Sequence, residues 1–260
     1  MPDFLTTDFS FTPPDIDHLR TTLSASGCAL GALPSALTTA PQFASLQDTW
    51  QRLPQDRYLK DGGSYRARRH DSLIQEVGQT TPTRLQLMPY RPHWQPTTYN
   101  ALHGGIRRWF EPLEAHLWHP PSLLSALIEW LGHLFEQVRA AQGQEVERWF
   151  IEAHQFRIDA STGMGKPTPE GAHRDGVDFV ALLLLARDNV EGGLTRIYDQ
   201  AGQCLQATTL SHPGTLMLLD DTRVVHETSP ITPAQSTLPA YRDTLVLTYR
   251  AGGFQEPNAG

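Results

Sequence analysis

Thiols are scarce in this 260-residue chain, which contains only two cysteines. Cys28 and Cys204 lie far apart and form no Cys-x-x-Cys spacing, so the sequence predicts neither a disulfide framework nor a thiolate zinc site. A reducing compartment suits such a chain.

Surplus positive charge and long apolar segments are also missing. Lys and Arg number 21 against 28 Asp and Glu, a net charge of -7. Nucleic-acid binding requires excess basic side chains on some face, so we expect no nucleic-acid partner. The longest apolar run, Phe179 to Ala186, is far too short to cross a bilayer, and the N-terminus is acidic where a signal peptide would be basic. We therefore predict a cytoplasmic protein with no membrane partner.

Helical patterns dominate the first part of the chain. The clearest helix follows Pro120-Pro121, because leucines and aromatic residues recur at three- and four-residue steps from Leu123 to Val138. Three further patterns precede it: one opened by Pro13-Pro14, one from Leu46 to Leu53, and one capped by Asn100 that runs through Leu113 and Leu117.

Short β-like runs separated by turn residues begin at Trp149, a pattern typical of a barrel or sandwich built from hairpins. The predicted strands are Trp149–Ile158, Val177–Arg187, Leu194–Tyr198, Cys204–Thr209, Thr215–Leu219, Val224–His226 and Asp243–Tyr249. We predict one α+β domain, residues 1–260, in which residues 1–145 are mainly helical and loop support and residues 146–250 form a β-barrel core that carries the site described next.

His173-Arg174-Asp175 is a candidate metal-ligand pair, because side chains at i and i+2 of an extended segment project to one side. His226 is the preferred third ligand, since it ends a short strand that a hairpin would return to the rim of the barrel. His212, followed at once by Pro213-Gly214, and His154, inside an alternating strand, are the alternatives. Two His and one carboxylate leave three positions open on an octahedral ion, as in non-haem Fe(II) oxygenases.

Other interpretations of the same residues stay open. Zinc also accepts imidazole and carboxylate ligands, although the sequence has no HExxH helix to supply a hydrolase with its general base. A zinc hydrolase and a metal-binding cupin without redox chemistry are therefore the alternatives to an oxygenase.

Arg242 begins the last predicted strand and is a candidate anchor for a dicarboxylate, because a guanidinium can form two parallel hydrogen bonds with a carboxylate. Strand parity groups Arg242 with Thr244, Val246, Thr248 and Arg250. Arg250 is thus the alternative anchor, and a surface Arg at a strand end is the third possibility.

Four motifs in order together resemble the bacterial Fe(II)/2-oxoglutarate-dependent dioxygenases that act on free L-amino acids, the isoleucine dioxygenase type. The motifs are Pro169 to Val180, Glu191 to Tyr198, Val225 to Ile231 and Tyr241-Arg242-Asp243. The resemblance spans roughly residues 149–250, and weaker similarity extends to residues 61–70 and 100–113.

The resemblance implies a double-stranded β-helix (jelly-roll, cupin-like) core with N-terminal helices packed on it. It implies Fe(II) held by His173, Asp175 and His226, with 2-oxoglutarate anchored by Arg242. The implied activity uses O2, converts 2-oxoglutarate to succinate and CO2, and hydroxylates or sulfoxidises a free aliphatic L-amino acid.

An amino-acid substrate carries a carboxylate and an ammonium group, so its site should contain at least one Arg and one hydrogen-bond acceptor. Candidates for its carboxylate are Tyr65, Arg66 and Arg69 on a Gly-rich loop, or Arg157 on the strand before the metal motif. A solvated basic loop is the alternative interpretation of the first three. Asp178 or Glu227 is a candidate to receive the ammonium or to orient the His ligands.

Overall fold

A computed structural model describes residues 14–78, 84–100 and 102–257, in which strands outnumber helices. The helices are α1 (Ile16–Ser26), α2 (Ser35–Thr38), α3 (Pro41–Asp48) and α4 (Leu123–Ala141), with 3-10 turns at Thr49–Arg52 and Ala115–Trp118. The strands are β1 (Cys28–Ala32), β2 (Arg66–Glu76), β3 (Arg84–Leu87), β4 (Arg148–Asp159), β5 (Phe179–Asp188), β6 (Val190–Gly192), β7 (Leu194–Asp199), β8 (Cys204–Thr209), β9 (Thr215–Asp220), β10 (Val224–Thr228), β11 (Ile231–Pro233) and β12 (Tyr241–Arg250).

The strands pair antiparallel in three sheets. A seven-stranded sheet has the order β1-β9-β5-β12-β4-β2-β3, a three-stranded sheet has the order β10-β7-β8, and β11 pairs with β6. Isolated bridges join Gly165 to Ile231 and His173 to His226, so the segment between β4 and β5 is tied to the smaller sheets. The result is a mostly antiparallel β structure with a few helices.

The two faces of the large sheet have different partners because side chains alternate along each strand. One face packs on α1, α3 and α4 in the main apolar core, to which β12 contributes Leu245, Leu247 and Tyr249. The other face lines a cavity, to which β12 contributes Arg242, Thr244, Val246 and Thr248. The parity predicted for β12 is therefore confirmed for these four residues.

Helix α4 is positioned by its sequence. The Ser122 hydroxyl accepts a hydrogen bond from Ser125 N and caps the first turn. Leu127, Leu131, Leu134 and Phe135 are fully buried, as the three- and four-residue spacing predicts. Within the described residues, no helix combines the length and the apolar character that a membrane crossing requires.

The predicted strands are all confirmed, with ends that shift by up to two residues. The helix capped by Asn100 is wrong: Asn100 Oδ1 accepts a hydrogen bond from His103 N, but turns follow and the chain forms only the 3-10 turn Ala115–Trp118. Gly104-Gly105 accounts for this, since Gly disfavours a helix interior. The Leu46 to Leu53 pattern divides into α3 and the 3-10 turn after it, and Pro13 lies outside the described residues.

The first half of the chain contributes more strand than predicted. Arg66–Glu76, expected to begin as a Gly-rich loop, is the eleven-residue strand β2, and β1 and β3 also join the seven-stranded sheet. Polar residues dominate the start of β2, so neither alternation nor β-branched composition marks it as a strand.

Candidate metal centre and its cavity

The register of the large sheet aligns four rows of side chains on the face that borders the cavity, and all of them except His70 and Ser72 line the cavity itself. In neighbouring positions on β2, β4 and β12 the rows are Arg66–Ile158–Arg242, Arg68–Phe156–Thr244, His70–His154–Val246 and Ser72–Glu152–Thr248. β2 therefore supplies cationic and polar groups, whereas β12 supplies Arg242 and small polar or apolar groups. Val180 and Leu182 on β5, with Met217 and Leu219 on β9, extend the lining as an apolar surface.

The His173, Asp175 and His226 side chains converge at the edge of this cavity. One donor atom from each lies within 4.8 Å of the other two. His173 Nε2 is 3.9 Å from Asp175 Oδ1, and His226 Nε2 is 3.9 Å from Asp175 Oδ2. His173 and His226 also exchange backbone hydrogen bonds of 3.0 Å across the isolated bridge, which fixes the two imidazoles side by side.

Hydrogen bonds orient these donors. His173 Nδ1 lies 3.0 Å from the Gly171 carbonyl and donates to it, which directs Nε2 toward the other two side chains. The Asp221 carboxylate accepts from the backbone N–H groups of Asp175, Gly176 and Val177 at 2.8 to 3.1 Å and holds the turn that carries Asp175. Gln95 Nε2 donates to Asp175 Oδ1 at 3.2 Å.

The two imidazoles of this centre have pKa values that are shifted in opposite directions. Burial lowers the pKa of His226, and neighbouring His173 lowers it further, so its imidazole is neutral at neutral pH. Burial also lowers the pKa of His173, but the charges of Asp175 and Glu170 outweigh it and raise that pKa overall. A bound cation opposes protonation of both imidazoles because it takes their lone pairs.

Arg242 is 2% exposed and lines the same cavity, where its Nε and Nη2 have no hydrogen-bond partner. Burial lowers its pKa to about 10, so it remains cationic at neutral pH. Its neighbour Asp243 is bound by Arg157 instead, through contacts of 2.8 and 2.6 Å. Arg250 does not line the cavity and donates from Nη1 to the Gly253 carbonyl at 2.6 Å.

Comparison with known proteins identifies the class of this site. The family model described as 2OG-Fe dioxygenase matches residues 47–248. The chain belongs to the 2OG-Fe dioxygenase family. It is a non-haem Fe(II)- and 2-oxoglutarate-dependent oxygenase, and its cofactor and co-substrates are Fe(II), 2-oxoglutarate and O2. The donor set fits iron, because two imidazoles and one carboxylate converge at a cavity that also holds an unpaired guanidinium.

Solved structures of the same fold accompany this match. A bsmA homologue from Methylobium petroleophilum PM1 is 49% identical, over 95% of this chain and 97% of its own, with a TM-score of 0.81. IDO from Bacillus thuringiensis is 18% identical over 93% and 100% of the two chains, with a TM-score of 0.71. The Fe(II)/α-ketoglutarate-dependent dioxygenase TqaL is 19% identical over 94% and 88%, with a TM-score of 0.66. The last two likenesses concern the fold alone. A search of curated proteins returned no match.

The predicted substrate-binding residues separate in the structure. Arg66 lines the cavity of this oxygenase, with its Nε on Asp56 at 2.7 Å and its Nη2 unpartnered. The other three do not line it. Tyr65 donates to Asp61 at 2.9 Å, Arg69 binds Glu111 and two backbone carbonyls, and Arg157 is paired with Asp243.

Four other candidates also lie outside the centre. Asp178 contacts Arg139 at 3.3 Å, Glu227 accepts from Tyr198 at 2.7 Å, and neither lines the cavity. His212 is exposed in a turn. His154, the other rival to His226, lies on β4 in the cavity wall and accepts from Arg68 Nη2 at 2.8 Å.

A second group of donor atoms was not predicted from the sequence, and three of its four residues line the cavity. His70, His93, Glu152 and His154 are buried, with one donor atom of each within 4.8 Å of the others. Glu152 already accepts from His93 Nδ1 at 2.9 Å and from His70 Nε2 at 3.3 Å. Arg68 is bonded to His154, and Arg91 lies 3.9 Å from Glu152. Two adjacent guanidiniums oppose a cation here, so we interpret this group as a hydrogen-bonded wall of the cavity.

Sequence reasoning also missed Arg68 and Arg108, which line the cavity and are 3% and 2% exposed. The signal for Arg68 was present as Arg66, Arg68 and His70 at a spacing of two, which places all three on one face once the segment is a strand. Arg108 lies in an isolated bridge with His93, and no local pattern marks that contact.

Proposed function

We propose that this oxygenase hydroxylates or sulfoxidises a free aliphatic L-amino acid and releases succinate and CO2 from 2-oxoglutarate. His173, Asp175 and His226 hold the iron, and Arg242 anchors 2-oxoglutarate. The strands form a double-stranded β-helix, the jelly-roll of this class, with the iron at its open rim. Four linked motifs from Pro169 to Asp243 support the amino-acid substrate.

One observation carries the assignment of the co-substrate. Arg242 is a buried cation whose Nε and Nη2 find no hydrogen-bond partner among the described residues, in the cavity that the three donors also line. An unpaired buried charge is costly, and a carboxylate that forms two hydrogen bonds with the guanidinium removes that cost. Thr244 and Thr248 follow on the same face of β12, and Val180, Leu182 and Met217 supply an apolar surface beside them.

The chain positions the reactants and controls their surroundings. Bound Fe(II) supplies the open coordination positions at which 2-oxoglutarate and O2 react beside the substrate. His173 is held with Nε2 toward the iron by the Gly171 carbonyl, and Asp175 is held by Gln95 and by the Asp221 turn. The apolar residues of β5 and β9 exclude water from the co-substrate, which protects the reaction from side products.

The decisive test is product formation by the purified protein. With Fe(II), 2-oxoglutarate, O2 and a panel of L-leucine, L-isoleucine and L-methionine, we expect succinate and an oxidised amino acid in equal amounts. Under nitrogen, addition of Fe(II) and 2-oxoglutarate should produce the weak visible charge-transfer band of the chelate. Absence of both the band and succinate across the panel would overturn the proposal.

Substitution of each proposed ligand by Ala separates loss of iron from loss of fold. His173→Ala, Asp175→Ala and His226→Ala should abolish succinate formation while the melting temperature without metal stays close to that of the wild type, because rim ligands contribute mainly to metal affinity. His212→Ala is the matched control and should retain activity, since His212 lies in an exposed turn. Full activity of a ligand variant would contradict the assignment.

A further inference from the structure

We propose that Arg68 and Arg108 bind the carboxylate of the substrate and that Glu170 binds its ammonium. This inference rests on the proposed amino-acid substrate and identifies the residues that recognise it. It concerns a part of the cavity separate from Arg242.

Arg68 is held as a rigid, buried cation. Its guanidinium carbon lies 3.9 Å from the centre of the Phe110 ring and 4.3 Å from that of Phe156, so it is placed between two aromatic faces. Nη2 donates to His154 Nδ1 at 2.8 Å, while Nε has no partner. Burial lowers the pKa of Arg68 well below its ordinary value, because this position strongly disfavours an uncompensated charge.

Arg108 is the second such cation. Nη2 donates to Gln95 Oε1 at 2.9 Å, and Nε has no partner. The Gln95 amide bonded to Arg108 also donates to Asp175, so a short chain of hydrogen bonds connects Arg108 with the metal centre. A single side chain, Gln95, therefore separates Arg108 from the proposed ligand Asp175.

The missing partner of these cations is an anion. Arg66 in the same wall has a carboxylate partner, Asp56 at 2.7 Å, but within the described residues no carboxylate lies within 4.0 Å of the guanidinium of Arg68 or Arg108. Asp56 and Glu152 act on both guanidiniums only from beyond ion-pair distance, so a carboxylate ligand that contacts them directly offsets more of the cost of their burial.

The anion at Arg68 is distinct from the one at Arg242. β4 separates their strands, so their backbones lie about 10 Å apart at a spacing of roughly 4.8 Å between strands. In the proposed function, 2-oxoglutarate occupies Arg242 and the iron. Arg68 and Arg108 thus remain for the carboxylate of the second organic molecule.

Glu170 supplies the opposite charge in the same cavity, beside His173. It lines the cavity, its side chain is 13% exposed, and Oε2 has no partner. Oε1 lies 3.5 Å from His173 Nε2, which is the nitrogen that faces the metal position. Glu170 therefore offers, beside the proposed metal position, a carboxyl oxygen with free acceptor capacity that an ammonium group fits.

The experiment compares three ligands that differ in one charged group each. L-Leucine, L-isoleucine and L-methionine are titrated beside their primary amides, which lack the carboxylate, and their des-amino acids, which lack the ammonium. Affinities are measured by calorimetry under nitrogen on protein loaded with Fe(II) and 2-oxoglutarate. For the wild type we expect at least one amino acid to bind about tenfold or more tightly than both of its analogues.

Variants assign each preference to its residue. Arg68→Met and Arg108→Met should lose the preference for the amino acid over its amide, and Glu170→Gln should lose only the preference over the des-amino acid. Arg69→Met is the matched control, because Arg69 lies on the same strand and contacts Glu111 outside the cavity. The affinity for 2-oxoglutarate should stay unchanged in every variant. Arg68→Lys keeps the charge but lacks the planar guanidinium, so its preference for the amino acid over the amide should lie between those of the wild type and Arg68→Met.

The outcomes distinguish this inference from the proposed function. Suppose that the wild type forms succinate with an amino acid but binds its amide equally well, or that the variants keep the wild-type preferences. Either result would overturn the roles of Arg68, Arg108 and Glu170 and leave the proposed function standing. The wild-type comparison needs no variant to fold. If no amino acid of the panel binds the loaded protein, both proposals are wrong.

Discussion

At the scale of single residues, Arg242 is the position at which the predicted role of a side chain can be tested most directly. It lines the cavity without a partner, while Arg250 on the same strand bonds to Gly253 outside it. In the proposed function, replacing Arg242 with Gln removes a charge-assisted bidentate pair with 2-oxoglutarate. We expect the 2-oxoglutarate KM to rise roughly 10- to 150-fold, which corresponds to about 1.5–3 kcal/mol.

Arg250→Gln is the control for this prediction and should leave the 2-oxoglutarate KM within about twofold of the wild type, since surface substitutions away from a site have effects within about 0.5 kcal/mol. Steady-state succinate formation measures both variants. An unchanged KM in Arg242→Gln, or a raised KM in Arg250→Gln, would move the anchor away from Arg242.

Residue-level prediction succeeded where a short pattern determines direction. His173 and Asp175 are two positions apart in an extended segment, and alternation along β12 places Arg242 on the cavity face. Tyr65, Arg69 and Arg157 were plausible by residue type alone, but each is bound to a neighbouring group away from the cavity. A side chain's direction within a strand is a local property, whereas its available partners depend on the whole fold.

At the scale of elements, the contact between α4 and β2 depends on a glycine. A Cβ atom on Gly132 would lie 1.9 Å from Oε1 of Gln75, whose fully buried side chain donates to the Glu129 carbonyl at 2.9 Å. Ala is a better helix former than Gly by roughly 1 kcal/mol. The steric conflict in a packed interior costs about 1–3 kcal/mol, so we expect Gly132→Ala to lower the free energy of unfolding by up to about 2 kcal/mol.

Chemical denaturation measures this effect, and a second substitution identifies its cause. Gln75→Ala removes the side chain that meets the new methyl group, so Gly132→Ala should be less destabilising in the Gln75→Ala background than in the wild type. Equal effects in the two backgrounds would show that the Gln75 contact does not limit this interface.

A helix or strand could be predicted where the apolar residues of a segment recur at the spacing of that element. The helix α4 and the strands β4, β5, β7, β8, β9, β10 and β12 were predicted, whereas the three-residue strands β6 and β11 were not. β2 was missed because one face of it carries Arg66, Arg68, His70 and Ser72, a polar set without the apolar or β-branched residues typical of a strand.

At the scale of the whole molecule, Asp71 gives stability a defined pH dependence. Asp71 Oδ2 accepts from Leu113 N at 3.0 Å and Trp118 Nε1 at 3.2 Å and so ties the 3-10 turn to β2. Burial raises its pKa from 3.8 to about 6 despite these hydrogen bonds. Because the folded pKa lies above the unfolded pKa, the folded state binds the proton more tightly, and this contribution to stability is lost as the pH rises from about 4 through 6.

The variant Asp71→Asn cannot ionise and removes this dependence. Relative to the variant, the wild type should lose at most about 3 kcal/mol of unfolding free energy between pH 4 and 7, because each tenfold difference in proton affinity between the folded and unfolded states corresponds to roughly 1.4 kcal/mol. Urea denaturation of both proteins across that range measures the difference. A difference that stays constant with pH, or that grows in favour of the wild type, would contradict a raised pKa at Asp71.

The sequence by itself determined the features that depend on near neighbours: most strands of the second half of the chain, the amphipathic α4, the spacing that directs His173 and Asp175 to one side, and the motifs that resemble the dioxygenases. Only the tertiary structure decided which distant groups share the cavity. Arg68, Arg108 and Glu170 come from β2, from a bridge and from the loop before β5, and their proximity follows from sheet pairing over long separations. Pairing partners are chosen by the packing of the whole core, and no short stretch of residues contains that information.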